Sequence, residues 1–402
     1  MLKKIGLSLS ILLLVIFGFI FVFSPNLLFN SSVNYPSQST SLPIPVLLED
    51  VNPNDGLAEF NLSVQTGEMV FIEGKITPTL GYNGNYLGPV IKVSRNDQVM
   101  INVNNRLNES TSIHWHGLEV DGLSDGGPLQ VIDSKSNWTA SFIVEQEAAT
   151  LWFHPHVMGS TATQVYQGLA GLLIVEDEHS KSLNLPDNYG INDFPLILQD
   201  RSFNEDGSFI YVQSMDGAYG NQMMVNGAIT PYLDVDQQKV RFRIVNGSNA
   251  RIYNLSLSDQ SNFYQIASDG GFLEQAVEMN SLTLSPGERA EIIIDFSTYD
   301  KGEELLLMNG DLFMMSFNIE DEVEDHTTIL AQLNTLANID LNQVSGYKEV
   351  ELDAMGMMVS IDGQRYDMAR IDDQVKKDAY EIWTISINSS MMSTAGHPFH
   401  IH

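Results

Sequence analysis

With 402 residues, 43% of them hydrophobic, the chain has apolar material for two or three cores of ordinary size, which excludes a single small domain. Only 20 Lys and Arg stand against 51 Asp and Glu, and a net charge of -31 repels phosphate backbones and anionic membrane surfaces, so nucleic acid is excluded as a partner while cations are attracted. Cysteine is absent, which excludes disulfides, thiolate metal sites and a cysteine nucleophile within this sequence.

Lys3 and Lys4 precede an uncharged apolar run, Ile5 to Phe23, which at about 1.5 Å per residue is long enough to cross most of a bilayer as a helix. Residues 1–29 therefore read as a signal peptide or N-terminal membrane anchor. Ser24 and Pro25 follow Phe23 without an A-x-A cleavage site, which favours the anchor. The two lysines hold the N-terminus in the cytoplasm, so the rest of the chain is expected outside it, in the periplasm or on the outer face of the cell membrane. Membrane contact is expected only through this segment. Residues 30–43, rich in Ser, Asn and Pro, read as a linker.

From Ile44 onward, short alternating runs such as Val99, Ile101, Val103 and Val240, Phe242, Ile244 are separated by Gly, Asn, Asp and Pro clusters. This predicts an all-β chain. Thr327 to Leu336 is the nearest approach to an amphipathic helix and is assigned to a connection. A weak repeat joins three segments: Val99 to Leu118, Val240 to Leu257, and Ile382 to His402. In the first and third, a strand is followed by His-x-His; in the second, Asn254 and Ser256 stand at about that place, so the middle copy reads as metal-free. The repeat predicts three Greek-key β-sandwiches, at 44–185, 186–325 and 338–402, with a linker at 326–337. At 65 residues or so the third is short of the ~100 that such a sandwich takes, and is expected to be incomplete, as in a truncated chain.

Seven of the nine histidines fall in three clusters: His114 and His116, His154 and His156, and His397, His400 and His402. On a strand, residues two apart share a face, so each His-x-His presents two imidazoles together while Trp115, Pro155 and Ile401 face away. Such pairs suit bidentate ligation of copper, zinc, iron or nickel. A lone histidine is ordinarily a core or surface residue; His179 and His326 have no paired neighbour and are assigned to the surface.

The order His-Trp-His-Gly, Trp-Phe-His-Pro-His, His-Pro-Phe-His-Ile-His resembles the first three of four copper motifs of the multicopper oxidases. Further likeness, to bacterial cuprous oxidases of the copper-efflux type, lies in Gly81 to Pro89, Gly117 to Val120, Asp125 to Pro128, Gly168 to Gly171, Asn226 to Ala228 and Ala267 to Gly271. The resemblance implies cupredoxin-like sandwiches and copper as cofactor. It makes His114 and His400 ligands of a type 2 copper, His116, His154, His156 and His402 ligands of a type 3 pair, and His397 a ligand of a type 1 copper. The family's fourth motif supplies the type 1 cysteine, and a chain without cysteine cannot build that blue site. Asp125 matches an acidic position that in relatives relays protons near the type 2 copper; locally it also suits a Gly-rich turn.

The implied reaction couples one-electron oxidation of a reducing substrate to reduction of dioxygen to water. For substrate, Asp353 and Met355, with Met357, Met358, Met391 and Met392, could hold Cu(I) through soft thioethers, although methionine is also a common core filler. Ser390 stands where cuprous relatives carry aspartate, so small phenols stay open as substrates. The alternatives are a non-catalytic cupredoxin-fold protein of the cell envelope or an inactive copper-binding fragment. A zinc hydrolase fits three paired motifs poorly.

Overall fold

The computed structural model describes residues 40–387 and 398–402, apart from residues 53, 55, 215, 216, 330, 356 and 357. The N-terminal apolar run, Met357, Met391, Met392 and His397 lie outside the described residues. No helix among the described residues is long and apolar enough to cross a membrane.

The chain is all-β, as its alternation predicts. The first sandwich contains β1 (Leu57–Met69), β2 (Thr77–Tyr82), β3 (Val90–Ser94), β4 (Gln98–Asn105), β5 (His114–His116), β6 (Asn137–Ile143), β7 (Ala149–His154) and β8 (Gly171–Glu176). One sheet runs β2-β1-β4-β6 and the other β3-β8-β7-β5. Parallel pairing of β1 with β4 and of β3 with β8, strands distant in sequence, gives the Greek-key crossing expected of the resemblance. Val99, Ile101 and Val103 point inward together because β4 has a period of two, and pack with Phe60, Leu62, Trp115 and Phe153 in one core. Each such fully buried side chain contributes about 1.5–3 kcal/mol.

The second sandwich, residues 193–322, packs a seven-stranded sheet on a five-stranded one around Phe242, Phe296 and Phe317. The third unit contributes, among the described residues, one three-stranded sheet of Val344–Met355, Met358–Ile361 and Tyr380–Ile387.

The sequence repeat has a topological counterpart. β1 pairs antiparallel with β2 and parallel with β4. Asp193–Arg201 pairs in the same way with Gln222–Val225 and Lys239–Asn246, and Val344–Met355 with Met358–Ile361 and Tyr380–Ile387. The three segments aligned by sequence thus all start in the parallel-returning strand of their unit.

Described residues of both expected linkers pack against the sandwiches. Within 30–43, Leu42 donates its backbone N–H to Tyr232 and is buried in the second core. Within 326–337, the described residues form no helix, and Leu333 is buried with Leu183, Leu185, Ile266 and Ile293. Burial of Leu42 and of Leu333 ties the backbone down at these two points.

The first two sandwiches share an interface. β7 is buried on both faces: Leu151 and Phe153 enter the first core, while Thr150, Trp152 and His154 face the second sandwich. There the Thr150 hydroxyl donates to Glu291 at 2.6 Å, and Glu291 pairs with Arg241 and Arg243 while Arg243 also holds Asp193. Burial raises the pKa of Glu291, but the two guanidinium groups outweigh it and bring it to about 2.

Candidate metal centre

β5 is three residues long and pairs antiparallel with the end of β7, with His114 opposite His154 and His116 opposite Trp152. Trp115 points into the core, fully buried, and its indole donates to the Ser124 carbonyl at 3.0 Å. His114 and His116 consequently share the opposite face, toward the second sandwich. His154 projects beside them from β7, His156 follows just beyond, and residues 398–402 bring His400 and His402 from the third unit. Six imidazoles meet at one cavity of about 1010 Å³ and its floor, lined by His114, His116, Asp125, Arg289, His400 and His402 among others.

The rings crowd against one another, His116 stacked on His400 with centroids 3.8 Å apart and His114 beside His402 at 4.2 Å. His114 Nε2 lies 3.1 Å from His400 Nε2, and His116 Nδ1 lies 3.1 Å from His154 Nε2. His156 and His402 meet with ring centroids 4.8 Å apart. Ring nitrogens of His114, His400 and His402, and of His114, His116 and His154, form two groups within metal-ligating reach.

The remaining nitrogens fix which atoms are free. His114 Nδ1 lies 3.1 Å from both the Asp125 carbonyl and its carboxylate, so it carries the proton and leaves the Nε2 lone pair inward. His154 Nδ1 faces the Pro155 carbonyl at 2.8 Å, with the same consequence. Burial first, and the neighbouring imidazoles second, push the pKa values of His116 and His154 down; the same causes bring His156 and His400 to about 4, with Arg289 adding to the effect on His116 and His400. At neutral pH these rings are uncharged, the form that binds metal. Imidazole nitrogens gathered within ligating reach of one another are a donor set that fits bound copper.

Asp125 is held over this cluster by a turn in which Gly126 has φ +75° and sits so close to β5 that a Cβ would lie 1.6 Å from the Ile113 carbonyl. Its Oδ2 is 2.7 Å from His402 Nδ1. Burial raises its pKa, but hydrogen bonds from His114 and His402 outweigh that and hold it below the usual carboxylate range.

Of the other predicted residues, Asp353 sits opposite Ser360 in a hairpin of the third unit, its carboxylate 3.4 Å from the Ser360 hydroxyl, and does not line the cavity. Met355 lies on the same strand. His179 and His326 are exposed, His179 against the Leu333 carbonyl and His326 beside Glu324. No residue of the middle sandwich belongs to either ligand group among the described residues.

Sequence reasoning missed Trp152 and Arg289. Trp152 packs on His154 at 4.2 Å and on His116 at 5.3 Å between ring centroids. It adjoins a histidine motif, so period-two alternation from His154 could have found it; nothing in the sequence singles out Arg289.

Two multicopper oxidase family models match the chain, at residues 63–180 and 174–332. Multicopper oxidase mco of Staphylococcus aureus is 39% identical over 92% of this chain and 80% of its own length. Cell division protein FtsP of Salmonella typhimurium (strain LT2) is 35% identical over 88% of this chain and 77% of its own. Among solved structures, the laccase from Pediococcus acidilactici Pa5930 superposes with a TM-score of 0.83 at 35% identity, covering 88% of this chain and 77% of that one.

Proposed function

The chain belongs to the multicopper oxidase family and is a copper-dependent oxidoreductase, and from that premise we propose that its six clustered histidines hold an oxygen-reducing copper centre fed by Cu(I). The observation that carries this reading is the pairing of imidazole nitrogens across three separate motifs, His114 with His400 and His116 with His154, each at 3.1 Å. His114 and His400 would hold one copper as a type 2 site, and His116, His154, His156 and His402 a type 3 pair. Bound copper would supply one-electron chemistry that passes electrons from a reducing substrate to dioxygen, giving water.

The chain's own groups set the conditions for that chemistry. Asp125 orients His114 and His402 through their Nδ1 atoms, and its carboxylate, bonded to both imidazoles, would pass protons along that chain of hydrogen bonds. Trp152 and the interface core behind it keep water from the buried side of His116 and His154. Cu(I) is favoured over phenols as substrate by the net charge of -31 and by the methionine pairs near Asp353 and before His397, where Met355 and Met392 would act as soft ligands. His397 would belong to the type 1 site, whose thiolate this sequence does not contain. Export to the outer side of the cell membrane, by the segment 1–29, completes the reading.

The test is to load the full chain with Cu(I) under anaerobic conditions, count bound copper, and then follow dioxygen uptake on supply of further Cu(I). Binding of more than one copper per chain with dioxygen consumption is expected. A chain that binds no copper would overturn the proposal in favour of a non-catalytic envelope role. Uptake driven by phenols but not by Cu(I) would reassign the substrate alone.

A further inference from the structure

The middle sandwich supplies no ligand among the described residues, yet it reaches the cluster through one side chain. Arg289, at the start of the strand Arg289–Asp295, is 5% exposed. Its Nη1 donates to the Gly287 carbonyl at 3.0 Å and meets the Asp269 carboxylate at 2.6 Å; its Nη2 donates to the Asp269 carbonyl at 2.9 Å. Nε approaches the Thr150 carbonyl of β7 at 3.4 Å. The fork of donors therefore ties two turns of the middle sandwich to the strand that carries His154.

The same guanidinium fills a notch beside β5. A Cβ on Gly117 would lie 2.4 Å from Arg289 Nη2 and 3.0 Å from Leu151, so the absence of a side chain immediately after His116 is what admits Arg289. The Gly287 that Arg289 holds then rests against the ring of His116: a Cβ there would lie 3.2 Å from His116 Cε1. Gly287 has φ +87°, a left-handed conformation that glycine adopts at little cost and that sets the turn flush with the ring.

We propose that Arg289 is a positioning residue for His116, fastening the middle sandwich to β5 and β7 and, through Gly287, holding the imidazole with Nδ1 aimed at His154. The inference rests on the reading of His116 as a copper ligand. It gives the middle sandwich a role in the metal centre: it sets ligand orientation across a domain interface. Lysine does not replace arginine here, because one ammonium cannot span Asp269, the Gly287 carbonyl and the Thr150 carbonyl in fixed directions.

The experiment uses the full chain, selectively labelled with 15N-histidine, in four variants beside the wild type: Arg289→Lys, Arg289→Met, Gly287→Ala and, as a control, Arg251→Met. Arg251 forms a half-buried ion pair with Asp200 at 2.8 Å in the same sandwich and does not line the cavity. Two readouts are taken: the ring-nitrogen tautomer of His116 in the metal-free protein, and Cu(I) affinity by competition with a chromophoric chelator. The three cluster-side variants are expected to mix the His116 tautomers and weaken Cu(I) binding about 10–100-fold, with Arg251→Met unchanged in both. Should Arg289→Met not fold, Arg289→Lys and Gly287→Ala carry the same reading. An unaltered His116 tautomer and Cu(I) affinity in the folded variants would overturn the proposal, as would an equal change in Arg251→Met. If the wild type binds no Cu(I), the copper reading has failed, and the tautomer in metal-free protein still decides the role of Arg289.

Discussion

Asp125 and His402 are separated by 277 positions in sequence, and their side chains meet at 2.7 Å, Oδ2 to Nδ1. The carboxylate also faces His114, so a single acidic side chain orients imidazoles from the first and third units. Asp125→Asn keeps the shape of the side chain and removes its charge. Copper affinity or dioxygen uptake is expected to fall about 10–100-fold, as for other residues that orient metal ligands, with the fold intact by circular dichroism. Wild-type copper binding and turnover in the variant would remove Asp125 from the site.

The turn beneath Asp125 depends on Gly126. Alanine there would have to place its methyl 1.6 Å from the Ile113 carbonyl at φ +75°, so the turn must move away from β5. Gly126→Ala is expected to match or exceed the loss seen in Asp125→Asn. Gly122→Ala, with nothing within 4 Å of its Cβ, serves as the neighbouring control and should leave copper binding unchanged.

Metal-free protein should lose stability in mild acid. His156 and His400 titrate near 6.5 when unfolded and near 4 when folded, because burial disfavours their cations. Between those values the unfolded chain binds protons that the folded chain does not, so stability is full above about pH 6.5 and declines as pH falls to about 4. Melting temperatures across this range, with and without Cu(I), check it. A metal-free melting temperature flat from pH 6.5 to 4 would contradict the lowered pKa values of these rings, and bound copper is expected to raise the melting temperature most at the upper end, where protons compete least.

At the interface of the first two sandwiches, Glu291→Gln would leave Arg241 and Arg243 buried with one charge fewer to answer them. Breaking a buried pair from one side costs about 3–5 kcal/mol. Thr150→Val removes only the hydroxyl that donates to Glu291 and should cost about 1–3 kcal/mol. Chemical denaturation that finds the two variants equal would show that the hydrogen bond, and not the charge, carries the contact.

The strand period of two is a local property of the backbone, and it made the histidine pairs, the inward face of Val99, Ile101 and Val103, and the three-unit repeat legible in the sequence. What sequence could not supply was which imidazole meets which. His114 faces His400 rather than its near neighbour His116, and His116 faces His154, because β5 and β7 pair in one register and the third unit delivers its histidines across the interface. The docking of Leu42 and Leu333, the reach of Trp152 and the clamp of Arg289 are also decided there. Each depends on contacts between residues far apart in the chain, and only the folded arrangement of the sandwiches brings them within a few ångströms.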